Sequence, residues 1–338
     1  MKRAARAPRS EAICAGVQGG LRRAVRVGGL LGLGVAVLAG ALALVNRALL
    51  LDDLPPTLPG AMEDWQWRGW RVRYTTLGAG PPLVLVHGVH AAASSFEMRN
   101  VFEPLSRQYT VYAIDLLGFG KSARPAAPYS AALYTDLLRD FLAQVVGPAA
   151  GGQPAVLVAS SLSTAFAVAA ARARPDLIDR LVLLSPSDIT GLGGVGREFG
   201  RLLAWPVLGT ALFNGLVSRR SIKRFMGRAY ADPWRVDETL VGQQWATAHQ
   251  PNARLAPAAF VAGRLDRPFW DVAVPLAVPL LIIRGTVAGI GPQTPDAALH
   301  GLSRSVAIET ISGAGQLPHD EAWEQVVALI GAPSAEWD

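Results

Sequence analysis

The chain has 338 residues, half of them hydrophobic and 17% charged, with a formal net charge of +6. That composition excludes a disordered chain and fits one large globular domain, or a core domain with an insertion. The single cysteine, Cys14, rules out an intramolecular disulfide and a cysteine-rich zinc site, and no basic stripe interleaved with aromatics marks a nucleic-acid module.

Residues 1–26 form a basic tail. Lys2, Arg3, Arg6, Arg9, Arg22, Arg23 and Arg26 are opposed by Glu11 alone. Val27 to Val45 then run for 19 positions without a charge. As a helix they span about 29 Å, close to the hydrocarbon thickness of a bilayer. An anchor over 27–50 is therefore expected. The positive-inside rule puts its N-terminus in the cytoplasm and the folded part on the extracytoplasmic side. A cleaved signal peptide and a buried helix of a soluble protein are the competing readings. Cys14 in this tail is read as a solvated thiol, with lipidation as the alternative. Residues 51–64, rich in proline and acid, read as a linker.

Beyond the linker the pattern alternates. "WQWRGWRVRYTTLG" reads as a hairpin around Gly69. "PPLVLVHG" and "YTVYAIDLLGFGKS" are short apolar runs of the kind buried on both faces of a sheet. Ser130 is placed as the N-cap of a helix over 130–146, with Leu133, Leu137, Leu138, Phe141, Leu142 and Val145 on one face. The strand "AVLVAS", an alanine-rich helix, and the strands "RLVLLSPSD", "VPLLIIRG" and "SVAIETISG" follow. This order predicts an α/β fold with a mostly parallel sheet covered by helices on both faces.

One long piece interrupts the alternation. Residues 189–274 are helical in pattern, so they form a cap between two core parts, 65–188 and 275–338. The glycine-rich "GLGGVG" at 191–196 opens the cap and reads as a flexible joint, not a phosphate loop. Arg197 to Arg228 hold seven basic residues and one acid, Glu198. They make either a solvated face or a surface toward anionic lipid.

The stretch "AVLVASSLSTAFAVAAARARP" resembles the nucleophile elbow of the alpha/beta-hydrolase superfamily, in which a strand turns sharply into a helix beneath an exposed nucleophile. In the family pattern G-x-S-x-G, Ala159 and Ser163 stand at the two glycines and Ser161 at the nucleophile. "LVLVHGVHAAASSFEMRNVF" looks like the family's oxyanion loop, and "YAIDLLGFGKSARP" like its next strand and turn. The resemblance covers roughly residues 66–334. It implies a doubly wound sheet of the alpha/beta-hydrolase type with an inserted helical cap, here preceded by one transmembrane helix. It also implies an oxyanion hole made by the backbone N–H groups of Val89 and Leu162.

Two partners of the serine depart from that pattern. Ala288, in "GTVAGIGP", holds the place of the family's acid, and Gln316, in "GAGQLPH", the place of its histidine. Glutamine takes up no proton near neutral pH, and an unassisted serine hydroxyl is a poor nucleophile. His90, His249 and His319 are the candidate replacement bases, and Asp188 the candidate replacement acid. Their structural alternatives are a loop histidine, a cap histidine, a hydrogen-bonding residue beneath the loop, and a helix cap. Two main functions stand side by side: a membrane-tethered hydrolase of small apolar esters or lipids acting through Ser161, and a non-catalytic relative binding a hydrophobic ligand or protein partner. Chemistry without a covalent intermediate is a third. No cofactor and no metal are implied.

Overall fold

The computed structural model describes residues 32–51, 54, 57–187, 193–269, 275–287 and 299–333. Cys14, the basic tail, Asp188 and Ala288 lie outside the described residues, as does the start of the expected anchor. Two units are distinguished, 1–48 and 49–338. In the first, residues 32–48 are helical. Among the described residues, no helix is long and apolar enough to cross a membrane.

The second unit is built on eight strands: β1 (Ala61–Trp67), β2 (Trp70–Leu77), β3 (Pro82–Val86), β4 (Thr110–Ile114), β5 (Ala155–Ser160), β6 (Ile178–Leu184), β7 (Leu280–Gly285) and β8 (Val306–Ile311). They form one sheet in the order β1-β2-β4-β3-β5-β6-β7-β8. The β1–β2 and β2–β4 pairs are antiparallel, and every other pair is parallel. β1 begins at Ala61, inside the stretch read as linker, because that segment pairs in register with β2 from Ala61 opposite Thr76 onward.

Strand alternation sorts the core. Val84, Val86 and Leu157 point into one apolar layer, and Leu83, Leu85, Val156 and Val158 into the other. The first layer is closed by helices α2 (Ala131–Phe141) and α3 (Ser163–Ala173), through Leu137, Phe141 and Phe166. The second is closed by α1 (Arg99–Ser106) and α10 (Trp323–Gly331), through Phe102, Leu105, Val326 and Ile330. Both faces of β3 and β5 are buried, which is why their sequences are continuous apolar runs instead of alternating ones. Ser130 caps α2 by accepting from the Leu133 N–H at 3.2 Å.

Among the described residues, five helices make the cap: α4 (Gly193–Leu203), α5 (Leu208–Leu216), α6 (Arg219–Ala229), α7 (Glu238–Ala248) and α8 (Leu255–Val261). They share an apolar cluster of their own that includes Leu203, Phe213, Ile222, Met226 and Val241. A short helix, α9 (Pro318–Glu321), precedes α10. In the sheet order β3 lies between β4 and β5, so the direction of winding reverses there. The crevice beyond the carboxyl ends of β3 and β5 is where an open α/β sheet binds its ligands.

Candidate active site

Ser161 stands at the tip of the turn from β5 into α3 with φ 51°, the left-handed region that a residue with a Cβ rarely adopts. Holding it there costs about 1–3 kcal/mol, which the surroundings must offset. They do so from both sides of the peptide. The Ser161 N–H donates to the Leu184 carbonyl at the end of β6, at 2.9 Å. Its own carbonyl accepts from the Thr164 hydroxyl at 2.6 Å and from the Ser187 N–H at 3.3 Å. Loss of the family's two glycines therefore leaves the elbow strain in place. Ser163, at the second glycine, adds a tie: its hydroxyl donates to the His87 carbonyl at 2.7 Å, fastening the elbow to the end of β3.

The loop after β3 is fixed by two buried side chains. His87 donates from Nδ1 to the Gly88 carbonyl, 2.6 Å away, and accepts at Nε2 from the Leu116 N–H at 3.1 Å, so both ring nitrogens are engaged. Glu97 receives the Gly88 N–H on both carboxylate oxygens, each at 3.1 Å. A Cβ built on Gly88 would lie 3.2 Å from Glu97 Oε2 and 3.2 Å from Ser161 Cβ, so this glycine keeps the serine and the carboxylate close neighbours. Among the described residues, the Val89 and Leu162 N–H groups find no hydrogen-bond acceptor. Both residues line the cavity above Ser161, as an oxyanion hole requires.

Glu97 is the centre of a buried polar cluster. His319 Nε2 lies 3.3 Å from Glu97 Oε1, and His90 Nε2 lies 4.0 Å from Oε2. Burial alone would raise the Glu97 carboxyl; His319, His90 and the Ser160 hydroxyl outweigh it and hold the group down at about 2. Burial pushes His90 down to about 4, against the pull of Glu97 and with help from His87. His90 is thus neutral at pH 7. Its Nδ1 accepts from the Ala92 N–H at 3.3 Å, which places the ring proton on Nε2, toward Glu97.

The cavity over Ser161 encloses about 290 Å³ between sheet and cap. Val89, His90, Leu162 and Gln316 line it together with Ser161. The Gln316 N–H donates to the Ala229 carbonyl of the cap at 2.7 Å, fixing its loop against α6. His319 is fully buried and lies behind Glu97, outside the cavity lining. His249 does not descend onto the site. It caps the end of α7, with Nδ1 2.7 Å from the Trp245 carbonyl and its ring 4.4 Å from the Trp245 ring. The helix that carries it packs it against its own preceding turn instead of the crevice.

Sequence reasoning missed Glu97, whose signal was faint: an acid in the serine-rich run just after the oxyanion loop. It also missed the seam where the cap meets the core. There Asp320 accepts from Arg99 at 2.6 Å, from Asn100 and from the Tyr230 hydroxyl. Beside it, Glu321 accepts the Gly315 N–H at 2.7 Å on one oxygen, and the Ala231 and Asp232 N–H groups at 2.8 and 3.3 Å on the other. Arg99 is held above its ordinary value; burial works against this, but the Asp320 carboxylate prevails. Among the described residues, no group of three histidine, cysteine or acidic side chains is placed to hold a metal ion.

A left-handed serine between a buried strand and a helix, the Val89 and Leu162 amides beside it and a helical cap over an eight-stranded sheet define a class, and comparison with known proteins agrees. The model of the alpha/beta hydrolase family matches residues 83–329, and the chain belongs to that family. An uncharacterized protein of Mycobacterium tuberculosis is 28% identical over 293 residues, 82% of this chain and 81% of its own. The 2-hydroxy-6-oxo-6-(2'-aminophenyl)hexa-2,4-dienoic acid hydrolase of Metapseudomonas resinovorans is 27% identical over 224 residues, 64% of this chain and 71% of its own. Among solved structures, a membrane phospholipase A matches with a TM-score of 0.60 and 17% identity, covering 94% of this chain and 99% of that one. At that identity the likeness speaks to the fold alone.

Proposed function

We propose that the chain is a membrane-tethered hydrolase of small apolar ester or lipid substrates that acts through Ser161 with a non-standard base. One observation carries the reading: Ser161 keeps its strained left-handed conformation beside two amides that find no acceptor among the described residues, at the floor of a largely apolar cavity. Strain of this kind persists where the surroundings over-determine it, and it clusters at reactive sites. Ser161 Oγ attacks the ester carbonyl as its proton passes to the base, and the Val89 and Leu162 N–H groups receive the developing oxyanion; the C–O bond then breaks, the alcohol leaves with that proton, and water cleaves the acyl-serine to release the acid and restore the hydroxyl. His90 is the imidazole in the cavity wall and the proton acceptor. Glu97 faces its Nε2–H, and Nδ1 is the basic nitrogen once it releases the Ala92 N–H. A base held near 4 gives a small driving force for proton removal, so acylation is slow. Relatives that hydrolyse support the chemistry, and the seven basic residues before the apolar segment support the tether.

Gln316 favours a second reading. An amide at the histidine's place orients a bound carbonyl or carboxylate without taking up a proton, which suits a non-catalytic protein that binds a hydrophobic ligand or a protein partner. Labelling of the full-length protein with a fluorophosphonate separates the two. Labelling of the wild type and not of Ser161→Ala supports the hydrolase. Absence of labelling in both, with no serine-dependent ester turnover, leaves the binding protein.

A further inference from the structure

A second cavity of about 230 Å³ lies within the cap and shares His90, Ala92, Phe225, Gln244 and Phe260 with the cavity over Ser161. Its remaining wall is almost wholly hydrocarbon. Leu203, Phe213, Val217 and Ile222 reach it from α4, α5, the end of α5 and α6, and each is buried. No carboxylate and no cation line it among the described residues. Gln244, the amide it does present, is engaged with the Met226 sulfur at 3.3 Å. The backbones around it leave no slack: a Cβ on Gly200 of α4 would come within 2.4 Å of the Ala258 carbonyl of α8. The helices are therefore in close contact at their crossing. A concave hollow of this size with hydrocarbon walls takes apolar guests.

Continuity decides the guest. The Ser161 cavity carries the polar features of the pair: the oxyanion amides, Gln316, and the Arg99–Asp320 pair at its margin. The cap chamber carries none of these. A molecule that fills both has a carbonyl at one end and a hydrocarbon chain at the other, passing the neck lined by His90, Ala92, Phe225, Gln244 and Phe260. We propose that the cap chamber seats the hydrocarbon chain of a long-chain acyl or alkyl ester whose carbonyl lies at Ser161. This rests on the hydrolase reading and names its substrate class. Leu216, which lines the chamber, and Phe225 at the neck are each more than 40% exposed, so the chamber also reaches the surface.

Two measurements on the full-length protein test it. The first compares labelling rates for an ethyl and a dodecyl fluorophosphonate. The second titrates dodecanoate and butanoate by calorimetry. Each is repeated on Val217→Phe and Leu216→Trp; the second variant sits at a half-exposed position and keeps the fold if the first does not. The expected result is labelling faster by about tenfold or more for the dodecyl probe, with dodecanoate tighter than butanoate to a similar degree, both advantages falling in the variants. Equal labelling by the two probes, or dodecanoate binding that neither variant weakens, overturns the chamber while leaving Ser161 as nucleophile. No labelling by either probe defeats the hydrolase reading. With dodecanoate still bound and weakened by the variants, the chamber then stands as a ligand site without the ester chemistry, and the proposal as an ester subsite is overturned.

Discussion

His319 Nε2 and Glu97 Oε1 lie 3.3 Å apart in the interior, one on α9 after β8 and the other in the helical turn between β3 and α1, 222 positions apart in sequence. The pair joins the loop that forms the oxyanion hole to the loop that carries Gln316. Removing one partner leaves the other buried polar group without it, at a cost of about 1–3 kcal/mol. Glu97→Gln and His319→Gln are each expected to lower the unfolding free energy by an amount of that order. The double variant should cost less than the sum of the two. Chemical denaturation of all four proteins measures the coupling; additive losses would show that the pair does not act as a unit.

The same cluster sets the acid limit of stability. His90 titrates at about 4 in the folded protein, below its ordinary value of 6.5, so between these pH values the unfolded chain binds more protons. Glu97 titrates at about 2, below 4.5, with the same consequence in the lower window. Stability is therefore full above about pH 6.5, falls toward pH 4 through His90, and falls again from about pH 4.5 toward 2 through Glu97. Each group accounts for at most about 3 kcal/mol of the loss. His90→Phe should flatten the upper limb and make the lower one shallower, since His90 is one of the groups that hold Glu97 down, with His319 still in place to keep part of it, as read by melting temperature against pH.

Position 161 separates strain from chemistry. Ser161→Gly and Ser161→Ala both remove the hydroxyl and should abolish fluorophosphonate labelling. Glycine also releases the left-handed strain, so it should be more stable than alanine by about 1 kcal/mol. A glycine variant no more stable than the alanine one, in paired thermal melts, would mean the turn is not strained.

Gly315 has no room for a side chain. A Cβ there would lie 2.4 Å from the Ala229 carbonyl, 2.7 Å from the Ala231 nitrogen and 2.9 Å from Glu321 Oε2. Gly315→Ala should cost about 1–3 kcal/mol by forcing cap and core apart. Faster proteolysis of the cap, with the sheet preserved, is the signature.

Gln316 is the remaining lever. Its backbone is held to Ala229, and it already lines the cavity, so an imidazole there meets the ligand without a new loop path. Gln316→His with Ala288→Asp should raise the rate of ester turnover through Ser161 by about 10²–10⁴-fold, the usual contribution of a placed general base. Unchanged turnover in the double variant would place the defect elsewhere than the relay.

Much of this was legible beforehand, and for local reasons. β3 and β5 are buried on both faces, so their apolar runs stand out, and the elbow is a strand, a turn and a helix in continuous sequence. Ser130 announced its helix because an N-cap is a contact between neighbours. Glu97 was not legible. Nothing in "SSFEMRN" sets it apart, and its role exists only because Gly88 and His319 converge on it. His249 shows the converse. Its cap sequence allowed a path to the crevice, and packing on Trp245 turned it away.

The Glu321 carboxylate grips one core amide and two cap amides, with Gln316 bonded to Ala229 alongside. α8 is seated as well: Ala256 and Ala259 belong to the core's own apolar layer, and Asn252 donates to the Arg124 carbonyl. The cap is thus fastened to the core at separate places, and the roof over Ser161 is part of the fold and not an appendage to it.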